Sequence, residues 1–232
     1  MIYLKVFEDY INERRNIYDV LTSKLTNNIF KEWINAFKNG ETIITYDDSI
    51  NDELEFDIIA TLYINDEYND LIILDTTGAD TRDIDDYGDE QTPYIIIDFA
   101  INPNLLPLEW SNIYYNLIDT IRHEIEHLTQ DGIEIGNYRP NKPFLDDYKI
   151  RSSIESGLIP KFKYFILPSE IDANLQSFRY IAKKKKEPMI NIINNYLDKQ
   201  EKNGIINKTE RMEILEIWKA RAKKIGGFPK LD

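Results

Sequence analysis

The chain of 232 residues contains no cysteine. Disulfides and every thiolate metal site are thereby excluded, and a metal held strongly by this protein must use histidine or carboxylate. Histidine is almost as scarce, with two in the whole sequence. Long apolar runs are also missing. No stretch approaches the roughly 20 residues of a membrane-spanning helix. The start, Met1 to Asp9, carries too short an apolar run for a secretory signal. Positive charge is in short supply. Lys and Arg number 28 against 41 Asp and Glu, a net of −13, which argues against nucleic acid as the main partner.

Enough remains for an ordinary globular protein. Apolar residues make up 42% of the chain, which excludes wholesale disorder, and the length suffices for a substantial core. The charge is unevenly placed. Residues 41–134 hold 24 acidic and 2 basic residues, a net of −22, whereas residues 135–232 hold 12 acidic and 20 basic, a net of +8. Two explanations are open: complementary layers of one domain facing each other, or a negative cleft that steers a basic substrate.

Residues 8–38 place Ile17, Leu21, Leu25, Ile29, Trp33 and Phe37 at helical spacing. One or two helices are expected there, stopped by Asn39-Gly40. Residues 41–101 change character. The segments 42–46, 56–64, 71–74 and 94–99 are short, β-branched or aromatic, and bounded by Asp, Asn, Gly or Pro, so they read as strands. The acidic stretch Asp75 to Gln91 contains Asp83-x-Asp85-x-Tyr87-Gly88, which superficially suggests a calcium loop. The match fails at its fifth position, Tyr87, and at its twelfth, Tyr94, where a bidentate glutamate is needed.

Residues 108–130 read as a helix with three faces. Ile113, Leu117, Ile121, Ile125 and Leu128 form an apolar stripe. Asp119, Arg122 and Glu126 form an opposite-charge stripe that reads as solvent-facing. Asn116, Thr120, His123 and His127 form the third, with Glu124 beside it. Both histidines of the protein thus fall four residues apart, in His123-Glu124-x-x-His127. Residues i and i+4 share a helix face. Two imidazoles so placed can bind one zinc ion, and a glutamate directly after the first can act as general base toward water at that metal.

Residues 133–168 look irregular, with a short helix expected after Asp146 or Asp147. Residues 169–186 form a helix whose start, Ser169-x-x-Asp172, has the form of a capping box and whose end, Lys183 to Lys186, suits a helix C-terminus. Two more amphipathic helices follow over 188–202 and 208–224, separated by Asn203-Gly204 and ended by Gly226-Gly227. With no repeat and no clear boundary, the expected fold is one α+β domain: a helix-plus-sheet part over 1–107 and a mainly helical part over 108–232 that carries the metal site.

A catalytic zinc usually takes three protein ligands. No third histidine exists, so the third must be a carboxylate. A histidine six residues beyond His127 is excluded, because that position is Ile133. Asp131 is a candidate that abuts the helix stop. Glu170, near the start of the next long helix, is the better one.

At this point the sequence resembles the gluzincin branch of the zincin metallopeptidases. The resemblance rests on His123-Glu124-x-x-His127 and on Glu170-x-x-Ala173-Asn174, and covers about residues 94–182. The wording around both motifs, His123 to Gln130 and Leu167 to Ala173, is also similar to metallopeptidases encoded by tailed phages. The resemblance implies a zincin-like fold and a Zn²⁺ ion held by His123, His127 and Glu170. It implies Glu124 as general base and cleavage of a protein or peptide substrate. Asn174 departs from the aspartate that in this family orients a ligand histidine. An oxyanion donor is also implied. Tyr164, Tyr138, Tyr148 and Arg179 are all near enough in sequence and stay open, with Tyr164 the expected donor. The strand 94–99 is expected as the edge that could pair with an extended peptide. Two other functions stay open: a virion or assembly protein that keeps the fold with little activity, and a hydrolase of non-peptide amides. The location stays open; with no signal or membrane segment read in the sequence, a cytoplasmic or virion-associated one is expected.

Overall fold

The computed structural model describes residues 2–51, 54–78, 92–130 and 142–225. The failed calcium motif at Asp83, the candidates Asp131 and Tyr138, and Gly226-Gly227 lie outside them. The architecture is α+β, and the chain divides into two compact units, one of residues 16–139 and the other of residues 1–15 with 140–232. Among the described residues, no helix is long and apolar enough to cross a membrane.

The first unit contains the C-terminal part of α1 (Ile2–Lys38), the strands β1 (Ile43–Asn51), β2 (Glu55–Ile64), β3 (Ile72–Gly78) and β4 (Tyr94–Ile101), and the helix α2 (Leu106–Gln130). The helix α1 ends where Asn39-Gly40 predicts. Gly40 takes a positive φ of 86°. Its N–H donates to Phe37 and that of Glu41 to Ala36, which closes the free carbonyls of the last turn.

The sheet order is β1-β2-β4-β3. β1 and β2 pair antiparallel, β2 and β4 parallel, and β3 returns antiparallel to β4. Alternation sets the faces. Phe56, Ile58, Ala60 and Leu62 of β2, and Ile95, Ile97 and Phe99 of β4, are fully buried on the inner face. They join Leu25, Ile29 and Trp33 of α1 and the stripe Ile113, Leu117, Ile121, Ile125 and Leu128 of α2 in one core. Aromatic edges tie the helices together: Phe30 meets Trp110 and Tyr114 at 5.5 and 5.1 Å.

The strand expected at the edge is internal. β4 has β2 on one side and β3 on the other, so it offers no free ladder to a peptide. The edge next to it is β3, and α2 packs against both. The reason is β3 itself, a chain reversal that no local pattern announces.

One tyrosine in this unit carries a pH dependence. The Tyr46 hydroxyl donates to Asp48 Oδ2 at 2.7 Å. Burial first, and then that bond, push its pKa from 10.0 up to about 12. The folded form therefore holds the proton more tightly than the unfolded chain. The stability this gives is intact below pH 10.0 and is lost as pH rises from 10.0 toward about 12. Tyr46→Phe should flatten the fall in unfolding free energy over that window relative to the parent. Parallel slopes in denaturant titrations of the two proteins would refute this.

The second unit is helical: α3 (Lys142–Glu155), a 3-10 turn (Lys161–Ile166), α4 (Pro168–Lys185), α5 (Met189–Lys202) and α6 (Lys208–Ile225). α3 starts earlier and runs longer than expected. Pro143 lies in its first turn, where a missing N–H costs nothing, so proline there marks a helix start and not irregular chain. Phe165, Phe178, Tyr196 and Trp218 pack together, and Trp218 Nε1 donates to the Phe165 carbonyl at 2.7 Å.

The expected capping box at Ser169 is not formed. α4 begins at Pro168, with Leu167 at the cap and no side-chain cap bond. Asp147 of α3 instead accepts both the Ser169 N–H, at 2.9 Å, and its hydroxyl, at 2.8 Å. Asp172 pairs with Arg221 through two bonds of 2.7 and 2.5 Å, which raises the Arg221 pKa above its ordinary value.

Candidate metal centre

The strand β4 passes directly into α2. Asn102 closes the turn, its side chain accepting from the Asn104 N–H and its carbonyl from Leu105. The helix is thus rooted in an internal strand and sealed along one side by five buried aliphatic residues. Rigid anchoring of this kind is what a ligand pair needs.

His123 and His127 lie on one helix face, both half-buried, with their Nε2 atoms 3.0 Å apart. Two nitrogens on one tetrahedral zinc, each about 2.0–2.1 Å from it, stand roughly 3.3 Å apart. The His127 Nδ1 lies 2.9 Å from Gln130 Oε1. A carboxamide oxygen accepts, which favours the tautomer with the proton on Nδ1; in that tautomer Nε2, on the side of His123, carries the lone pair. Outer partners of this type fix the tautomer of metal-binding histidines. The donor set and its spacing therefore fit a zinc ion. Glu124 is buried, 6% exposed, in the first turn beyond His123.

Gln130 escaped the sequence reading. Its signal was present: three residues past His127, it stands on the same side of the helix. Asn174, at the position where the resemblance places such an outer partner, donates its amide to the Glu170 carbonyl at 2.7 Å.

The charged stripe of α2 is also different from the expectation. Arg122 is fully buried, where a solvent-facing residue was predicted. Its Nη1 donates to Glu126 at 3.1 Å, its Nε lies 3.5 Å from Asp19 of α1, and its guanidinium sits over the Tyr18 ring. The i,i+4 pair with Glu126 is real. What the local pattern could not supply is Asp19, a partner about a hundred positions upstream.

Glu170 and Tyr164 belong to the second unit. Glu170 is 1% exposed, in the first turn of α4, and its Oε1 accepts from Arg151 Nη2. Tyr164 lies half-buried on the 3-10 turn, and the Arg151 guanidinium covers its ring at 5.5 Å. Arg179, another candidate donor, bonds Gln176 at 3.2 Å. Tyr148 falls within α3.

Compared with known protein families, with curated proteins and with solved structures, the chain gives no match in any of the three.

Proposed function

We propose that the protein is a zinc-dependent hydrolase, a metallopeptidase in which His123, His127 and Glu170 hold the metal and Glu124 is the general base. The observation that carries this is the histidine pair, with two Nε2 atoms at 3.0 Å and one ring fixed by Gln130. A zinc ion held there would supply Lewis acidity toward a carbonyl oxygen and toward water. A purely structural zinc site closes all four positions and has no use for an adjacent buried carboxylate. Glu124 supplies that carboxylate and would take a proton from water and pass it to the leaving amine. In the same reading Tyr164 donates to the oxyanion. An extended peptide needs an open strand edge. Among the described residues β3 is an edge strand, with Ile72 and Ile73 exposed, and is the strand proposed to pair with the peptide. The acidic stretch 41–134 favours a basic segment in the substrate.

Metal binding tests the reading. The purified chain should bind zinc at one per molecule, and His123→Ala should lose it while staying folded. Zinc retained at full stoichiometry by His123→Ala would sink the proposal.

A further inference from the structure

We propose that Arg151 is a positioning residue for the metal centre, holding the Glu170 carboxylate through Oε1 so that its other oxygen, Oε2, takes the ligand role. This rests on the reading of Glu170 as the third ligand. Glu170 is almost wholly removed from water, and a carboxylate so placed needs a counter-charge. Arg151 supplies it from α3, through the bond from Nη2 to Oε1. The guanidinium is not free to roam, since one face lies over the Tyr164 ring. The main chain is fixed as well. Asn174 takes the Glu170 carbonyl, and Asp147 takes the amide of Ser169, the residue before it.

Each piece restricts one freedom of Glu170: Asn174 and Asp147 its backbone, Arg151 its side-chain torsions. A carboxylate with a guanidinium on one oxygen presents the other in a single direction, which suits one-oxygen coordination. Ligating carboxylates are commonly held by such outer hydrogen bonds, and losing one costs about 10–100-fold in metal affinity. The opposite arrangement is equally concrete. If Arg151 competed with the metal for the carboxylate, removing it would tighten binding.

The experiment is a zinc affinity measurement on the full chain by competition with a chromophoric chelator. Excess Mg²⁺ is present to occupy surface carboxylates. Arg151→Ala should bind zinc about 10–100-fold more weakly. Arg151→Lys should fall between it and the parent, because an ammonium keeps the charge without the fork. In a Glu170→Ala background, Arg151→Ala should add no further loss. Parent-like or tighter binding by Arg151→Ala overturns the inference. Should that variant fail to fold, parent-like or tighter binding by Arg151→Lys overturns it instead. The control arms separate the two levels. If His123→Ala and Glu170→Ala lose zinc while Arg151→Ala does not, only the role of Arg151 falls. If Glu170→Ala binds as the parent does, the ligand assignment beneath it falls.

Discussion

Replacing Glu124 by glutamine should leave zinc binding intact and lower hydrolysis by about 10²–10⁴-fold, the usual contribution of a positioned general base. The substitution is nearly isosteric, so the buried site beside His123 keeps its packing. It removes only the ability to accept a proton. The two imidazoles, with Nε2 atoms 3.0 Å apart and His127 held by Gln130, do not depend on that carboxylate. Zinc stoichiometry and peptide cleavage, measured on the same preparation, make the comparison. Equal cleavage by parent and variant would remove Glu124 from the chemistry. Loss of zinc in the variant would instead make it part of the metal shell.

The second large effect concerns stability. Arg122→Ala should destabilise the protein by about 3–5 kcal/mol, because it leaves the Asp19 carboxylate facing a site without its cation. Arg122 is fully buried, and the Asp19 side chain is 4% exposed in the same ion pair. Each kcal/mol lowers the melting temperature of a chain this size by about 2–4 °C, so a drop of roughly 6–20 °C is expected. The double change Arg122→Met with Asp19→Asn should recover much of the loss, since it withdraws both charges and keeps volume. A drop below about 2 °C in Arg122→Ala would mean that the guanidinium is effectively solvated.

What could be read from the residues alone follows a physical division. The three stripes of α2 were legible because helical spacing is a local property, and the apolar one is buried as expected. The histidine pair was legible for the same reason. Strand segments were visible from their composition, but not their order. That β4 lies between β2 and β3 depends on where β3 folds back, and the contacts that decide it are long-range. Arg122 failed for the related reason that its second partner, Asp19, comes from another helix. Capping failed at Ser169 because Asp147, on α3, does the work that Ser169-x-x-Asp172 advertises. That Glu170 lies in the first turn of a helix follows from local pattern; the ligand role proposed for it rests on elimination and resemblance. The hold of Arg151 on it carries no sequence signature, since an arginine nineteen residues upstream has no fixed spatial relation to it.

The bond from Asp147 to Ser169 also bears on the order in which things come apart. The helix that carries Glu170 has its first turn completed by a side chain from α3, so α4 cannot keep that end closed once α3 has left. Hydrogen exchange at the Ser169 amide is therefore a reporter of α3 docking. The two helices should protect and release their amides as one cooperative block, with the carboxylate of Glu170 losing its orientation in the same opening event.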